Sequence, residues 1–189
     1  MNFSELVKYL LNIFLQPQSD WETGKLNNHV SKNNFKKLII YLALSLFIFR
    51  LFGKTLKYLP FYSFINIFTY SLLSSVSDLI FIVLVIYVVN KLYVHFTNKV
   101  NISCVILLVL LTLLPFYVAT IIFNIFPPLF FLLLLGFYGF YLGYIGINKI
   151  FNLTGDKQTI FFLLYIFVTI GIYILLRFLI INPFFDFIF

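Results

Sequence analysis

The sequence predicts an all-α integral membrane protein with five transmembrane helices and an N-terminal amphipathic interfacial helix. The composition is 62% hydrophobic and only 10% charged, with a mean hydropathy of +1.06, whereas soluble domains use about 25% charged residues. Several apolar stretches also approach the roughly 20 residues that a helix needs to cross a bilayer. The chain has too few polar residues to cover a soluble core, so a bilayer is its expected surrounding.

Five crossings are predicted within one domain of residues 38–189. The third and fourth share one apolar block that is too long for a single span. Pro127 and Pro128 divide it, because proline lacks a backbone donor and restricts the residue before it. The second span is predicted to begin near residue 72, which places Asp78 in the membrane. Whether residues 61–75 are embedded in the membrane stays open. The predicted spans are 38–53, 72–95, 103–125, 128–148 and 159–181.

Residues 1–37 are predicted to form a cytoplasmic amphipathic helix followed by a polar connector. Apolar side chains recur at helical spacing in FSELVKYLLNIF, with polar side chains on the opposite side. Such a helix is expected to lie in the plane of the membrane interface, with packing under the bundle as the alternative. The apolar positions are Phe3, Leu6, Val7, Leu10, Leu11 and Phe14.

Basic residues predict the orientation of the spans. Nine fall before span one or in the loops after spans two and four, against three that are assigned to the loop after span one: Arg50, Lys54 and Lys57. The positive-inside rule then places the N-terminus in the cytoplasm and the C-terminus outside, in a multi-pass cell membrane. The formal charge of +7 follows from the same lysines, so no nucleic-acid site is inferred from it.

Three charged residues are predicted to lie within or near the spans: Arg50, Asp78 and Arg177. At 1.5 Å per residue they lie about 20–27 Å from the cytoplasmic ends of their helices, towards the outer leaflet. An ion pair of Asp78 with Arg177 or Arg50 is the structural interpretation. A substrate or proton site is the functional one, because intramembrane charge often marks a transport path. Snorkelling without a partner is a third possibility.

Span four carries a glycine stripe at Gly136, Gly139, Gly143 and Gly146. The spacings of three, four and three place all four glycines on an arc about 80° wide. Small residues let helix backbones approach closely in lipid. The stripe is expected to face another span of the same chain, and dimerisation through it is the less favoured use. The structural alternative is that the glycines only lower the stability of the helix and make no contact.

No catalytic residue, cofactor site or metal site is predicted. The chain has two histidines and one cysteine, and it has neither a G-x-S-x-G element nor an H-E-x-x-H motif. His95 is interpreted as an interface residue and Cys104 as a small apolar residue at a helix start. An intramembrane enzyme would need one of them beside a second titratable group in a pocket.

The order of four short motifs resembles bacterial members of the Yip family, the Ypt/Rab-interacting five-span membrane proteins. The motifs are LQPQSDW before the first span, LLPFYV in the third, FYLGYIG at the end of the fourth, and TGDKQ before the fifth. The resemblance covers almost the whole chain and implies a bacterial inner membrane. None of the matching residues is catalytic in the family. The acidic, proline-containing motif of the eukaryotic branch has no counterpart here, so Rab binding is not carried over. The matching residues are Pro17, Trp21, Pro115, Tyr117, Tyr141, Gly146 and Lys157.

The expected function is that of a non-enzymatic membrane scaffold or interaction protein. Its expected partners are the lipid bilayer and a membrane or cytoplasmic protein, and the oligomeric state stays open. The alternative is a small transporter or channel subunit with a polar site near Asp78 and Arg177. A scaffold should have a dry bundle, whereas a transporter needs polar groups that converge on a pocket.

Overall fold

The computed structural model describes residues 8, 12, 15–16, 32–98 and 101–182, and it contains no strand within them. The predicted amphipathic helix of residues 3–14 lies largely outside this part of the chain. A 3₁₀ segment, Pro127–Leu134, precedes α4, and a π-helical turn, Arg177–Ile181, continues α5. The five long helices are α1 Lys32–Tyr58, α2 Phe64–Thr97, α3 Ile102–Ile125, α4 Leu135–Phe151 and α5 Gly155–Leu176.

Five helical segments are long and apolar enough to cross a membrane, each 22 to 34 residues in length. The predicted all-α membrane fold with five spanning helices is therefore confirmed. The segments are Lys37–Tyr58, Phe64–Thr97, Ile102–Ile125, Pro127–Phe151 and Gly155–Ile181.

The second helix begins at Phe64, earlier than the predicted start of its span near residue 72. Residues 61–75 contain several serines, which lower the hydropathy of this stretch. In the structure Ser71, Ser74 and Ser75 are buried against neighbouring helices, not exposed to lipid. Polar residues that face protein do not prevent a helix from spanning, so the apolar pattern alone underestimates the length of α2.

The third helix occupies the centre of the bundle. Within its most apolar window 61% of residues are buried inside the protein, against 17% to 44% in the other four segments. Its sequence, ISCVILLVLLTLLPFYVATIIFNI, is apolar on every side, as expected of a spanning helix whether protein or lipid surrounds it. The side chains of Leu108, Leu111 and Val109 are almost completely buried.

The proline pair ends the third helix as the sequence predicts. The α3 helix stops at Ile125, and the chain continues from Pro127 as a 3₁₀ segment with a kink at Leu129 before α4 begins. The prolines are exposed. Because the missing proline donors fall at a helix start, where backbone N–H groups have no intrahelical partner, they cost little there.

Contacts between helix ends define two ends of the bundle, because the Tyr93 and Phe151 rings lie 4.2 Å apart while Gly53 meets Asn124. The turns at Asn98 and at 152–154 form one end, which we call the Asn152 end. The turn at 59–63 and the break before Pro127 form the opposite end, the Pro127 end. Asn98 and Asn152 both end their helices in the left-handed region, with φ of 54°, which asparagine tolerates better than most residues.

A side-chain network fixes the turn at the Asn152 end. The Asn148 amide donates to the Leu153 carbonyl at 3.1 Å and to Gln158 Oε1 at 3.3 Å. The Gln158 amide in turn donates to the Tyr144 carbonyl at 3.0 Å. Gln158 is buried although it lies in the polar island TGDKQ, so this part of the island stabilises the contact between α4 and α5.

Candidate functional site: a buried charge cluster

The helices α1 and α2 bring Arg50 and Asp78 into contact inside the bundle. The Arg50 guanidinium donates to Asp78 Oδ2 at 2.8 Å. A second guanidinium nitrogen donates to Ser75 Oγ at 3.2 Å, and Ser75 donates to the Ser71 carbonyl at 2.9 Å. Ser71, Ser75 and Asp78 lie four and three residues apart on α2, so one face of that helix presents all three to Arg50.

The Arg50–Asp78 pair is almost completely removed from solvent, with side chains 5% and 8% exposed. Placing either charge alone in such a site would be costly, because its hydration is lost without compensation. Each charge therefore depends on the other, and the pair joins α1 to α2 across the interior of the membrane domain.

Arg177 has a different partner. Its Nε donates to the Tyr173 hydroxyl at 3.2 Å, and its guanidinium lies 5.3 Å from the centre of the same ring. Among the described residues it forms no ion pair with Asp78. The sequence offered either arginine as the partner of Asp78, and the structure selects Arg50, because α1 packs directly along α2.

Lys54 lies in the same region of the bundle, although the sequence analysis assigned it to a loop outside the membrane. It lies one turn after Arg50, because α1 continues to Tyr58 and does not end near residue 53. Its ammonium lies 4.8 Å from the centre of the Tyr58 ring and 4.9 Å from that of Tyr70. The i, i+4 spacing of Arg50 and Lys54 was the available signal that both occupy one helix face.

We call Arg50, Lys54, Asp78 and Arg177 the charge cluster. Lys54 interacts electrostatically with both Arg50 and Arg177, and Arg177 interacts with Asp78. The described part of the chain supplies one carboxylate for these three cations. The charge cluster therefore has an excess of positive charge.

Several buried polar atoms near the charge cluster have no hydrogen-bond partner within the described ranges. They include the hydroxyls of Ser71, Ser74 and Tyr117. Tyr117 interacts electrostatically with both Asp78 and Arg50, which places it beside the pair. Unpaired buried hydroxyls are uncommon in native structures, so this region has unused capacity for hydrogen bonding.

A separate cavity of about 180 Å³, which we call the apolar crevice, lies where α3, the start of α4 and α5 meet. Its two threonines donate their hydroxyl hydrogen bonds to carbonyls of their own helices, so they add little polarity. Ile170, at its edge, is 44% exposed, so the apolar crevice opens towards the membrane side of the bundle. Its lining is Phe81, Thr112, Leu113, Phe116, Gly136, Phe140, Thr169, Ile170 and Tyr173.

The glycine stripe of α4 faces α3. A Cβ atom at Gly139 would overlap the Thr112 carbonyl oxygen, so the two backbones are in direct contact. A Cβ at Gly143 would lie 2.6 Å from Thr112 Cγ2, while one at Gly136 would meet Phe116 at 3.4 Å. Gly146 is also buried. Thr112 itself forms a hydrogen bond with the fully buried Tyr165 of α5. The glycine stripe therefore contacts α3 at the same residue at which α5 contacts α3.

The sequence analysis missed a second close glycine contact. A Cβ atom at Gly53 of α1 would overlap the carbonyl oxygen of Asn124 on α3. An isolated glycine carries no periodic pattern, so nothing in the sequence distinguishes it from a residue that merely loosens a helix.

His95 and Cys104, which the sequence analysis considered as candidates for chemistry, lie apart from the charge cluster. His95 is exposed near the end of α2, and Cys104 is buried at the start of α3, near the Asn152 end. Within residues 32–98 and 101–182 no group of three His, Cys, Asp or Glu side chains could hold a metal ion.

No family model, curated protein or solved structure matches the chain.

Proposed function

We propose that this protein is a non-enzymatic, multi-pass membrane protein that organises or binds other membrane components. The observation that carries the proposal is the use of its intramembrane polar groups. Arg50, Asp78 and Ser75 bind one another across α1 and α2, and Thr112 binds Tyr165 across α3 and α5. These groups join helices, which is the requirement for a rigid platform.

The lining of the apolar crevice supports the same proposal. A transport site needs polar groups that converge on a cavity. The apolar crevice is lined instead mainly by aromatic and aliphatic side chains, and its threonines are bonded to their own helices. Neither Arg50 nor Asp78 lines it.

A transporter or channel subunit is the second proposal, and a specific observation favours it. The unpartnered hydroxyls of Ser71, Ser74 and Tyr117 lie in the region of Asp78. A carboxylate with nearby hydroxyls is the type of site that takes up a proton or a small cation in membrane proteins.

The location and orientation belong to the proposal as well. A bacterial inner membrane and membership of the Yip family rest on the resemblance of the four sequence motifs. A cytoplasmic N-terminus rests on the distribution of lysines. In this orientation the Asn152 end is cytoplasmic and the charge cluster lies towards the outer leaflet.

Reconstitution distinguishes the two proposed functions. The purified protein would be placed in vesicles that enclose a pH-sensitive dye, and a potassium diffusion potential would be applied. A platform protein should add no proton leak beyond that of empty vesicles. A leak that appears with the protein and disappears in Asp78→Asn would overturn the proposal in favour of transport.

A second measurement tests the interaction role directly. In-cell photo-crosslinking from exposed positions of α4 and α5 should give discrete adducts with a protein partner. An unrelated five-span protein, labelled at equivalent depths, is the control. Adducts that are absent, or that are the same for both proteins, would contradict an interaction role.

A further inference from the structure

The excess positive charge of the charge cluster favours a nearby anion. Arg50 is neutralised by Asp78 at 2.8 Å, whereas Lys54 and Arg177 contact only aromatic rings and the Tyr173 hydroxyl among the described residues. Both side chains are partly buried, and a cation that loses part of its hydration is favoured by a nearby counter-charge. Lys54 and Arg177 also repel each other electrostatically, so an anion bound near Arg177 would favour both charges.

The position of these two cations fits a phosphate. Lys54 lies about one turn before the end of α1, and Arg177 lies in the π-helical turn that ends the last spanning segment. Both therefore lie near the Pro127 end of the bundle. Helix ends of this kind reach the interfacial layer outside the roughly 30 Å hydrocarbon core, where lipid phosphates lie. The guanidinium geometry of arginine also suits two phosphate oxygens at once.

Tyr173 connects the cationic site to the apolar crevice. Its hydroxyl accepts the hydrogen bond of Arg177, and its ring lines the apolar crevice together with Phe116 and Ile170. A ligand bound at Arg177 would thus have an apolar channel beside it that opens towards lipid. This arrangement of cation and apolar cavity is complementary to an amphiphile with an anionic head.

We propose that one anionic phospholipid binds at the Pro127 end, with its phosphate bound by Arg177 and attracted by Lys54, and with part of one acyl chain in the apolar crevice. The site goes beyond the proposed function, because a platform and a transporter could each carry it. Basic pockets between spanning helices are a recognised chemistry for anionic headgroups. The volume of about 180 Å³ suits part of one chain, with the rest of the lipid on the bundle surface.

Native mass spectrometry of the delipidated protein in detergent tests the proposal. The probes are phosphatidylglycerol, the zwitterionic phosphatidylcholine, and glycerol phosphate as the headgroup without chains. Phosphatidylglycerol should bind with the highest affinity and in a one-to-one ratio. Equal affinity for the two lipids would overturn the anionic site, and equal affinity for glycerol phosphate would overturn the role of the apolar crevice.

Substitutions locate the site. Lys54→Gln and Arg177→Gln should each weaken phosphatidylglycerol binding by about fivefold, the effect expected for one basic residue at a membrane surface. Lys57→Gln is the matched control, because Lys57 lies on the same helix but is exposed, with its ammonium over the Tyr58 ring. Lys57 also interacts electrostatically with Lys54, so this change should weaken binding less than Lys54→Gln does and not leave it wholly unchanged. An equal loss in Lys57→Gln, or no loss in Lys54→Gln, would overturn the proposal.

A third variant tests the apolar crevice without changing any charge. Ile170→Trp places a large ring at its edge and should weaken phosphatidylglycerol binding while leaving glycerol phosphate unaffected. Each variant would be compared after its circular dichroism and elution volume match those of the wild type. If Arg177→Gln does not fold, Lys54→Gln against Lys57→Gln still decides the cationic half of the site, and Ile170→Trp decides the apolar half.

Discussion

At the scale of single residues, the Arg50–Asp78 pair determines how α1 attaches to α2. Replacing Asp78 or Arg50 by alanine leaves the other charge buried without a partner, which costs about 3–5 kcal/mol in a buried pair. Replacing both should cost less than the sum of the two single losses. The measurement is thermal unfolding of the two single variants and the double variant in detergent.

The same cycle with Arg177 is the control for that prediction. Arg177 bonds to Tyr173 and interacts with Asp78 only electrostatically, so Arg177→Ala and Asp78→Ala should depart from additivity less than Arg50→Ala and Asp78→Ala do. Strict additivity for Arg50 and Asp78 would show that they do not stabilise the fold as a pair.

The sequence identifies three of the charged residues as intramembrane groups, but it does not identify all of their partners. Asp78, Arg50 and Arg177 stand out because charge is rare in apolar runs. Which arginine pairs with Asp78 depends on how α1, α2 and α5 pack, and no pattern along one chain encodes that. Lys54 was missed for a different reason, because the apolar stretch weakens after residue 53 although the helix continues to Tyr58.

At the scale of helices, close backbone contacts hold α4 and α1 against the central α3. Gly139→Leu and Gly143→Leu should sharply reduce the yield of folded protein, because bulk would be inserted where α4 meets Thr112. Gly139→Leu should be the more severe, since it meets a backbone carbonyl and not a side chain. Phe137→Leu, at a position 71% exposed, should be mild. The readout is the monodisperse fraction after purification, and equal tolerance at all three positions would contradict the packing role of the stripe.

Gly53 makes a separate prediction for α1. Gly53→Ala should destabilise the protein, because the added methyl group would overlap the Asn124 carbonyl oxygen. Gly171→Ala is the matched control in α5, where a Cβ atom would meet nothing within 4 Å. That change should be neutral or slightly stabilising, since alanine favours a helix over glycine. Thermal unfolding in detergent compares them, and similar midpoints for both variants would argue against the close contact.

The helices themselves differ in how far the sequence predicts them. The break at Pro127 follows from proline chemistry alone, and the structure places it there. The start of α2 at Phe64 was not predicted, because its serines resemble a loop until neighbouring helices are known to cover them. The glycine stripe was visible because four glycines share one arc, whereas the single Gly53 was not.

At the scale of the whole molecule, α3 is the most buried of the five spanning segments in the described part of the chain. The sequence does not predict this position, because lipid-facing spans are as apolar as buried ones. The segment Gly155–Ile181 is strongly apolar too, but only 22% of its most apolar window is buried. We expect the five long apolar segments of the described residues to cross once each, and an odd number of crossings would place Lys32 and Asn182 on opposite faces of the membrane. The direction in which the bundle inserts then depends on the lysines near the Asn152 end.

Reporter fusions measure this arrangement most directly. An alkaline phosphatase fused after Phe189 should be active, because it would lie outside, and one fused within 152–158 should be inactive. Green fluorescent protein at the same two positions is the complementary control and should give the reverse pattern. Activity at 152–158 together with inactivity after Phe189 would contradict the predicted orientation, and the same side for both positions would contradict a single crossing by the last segment.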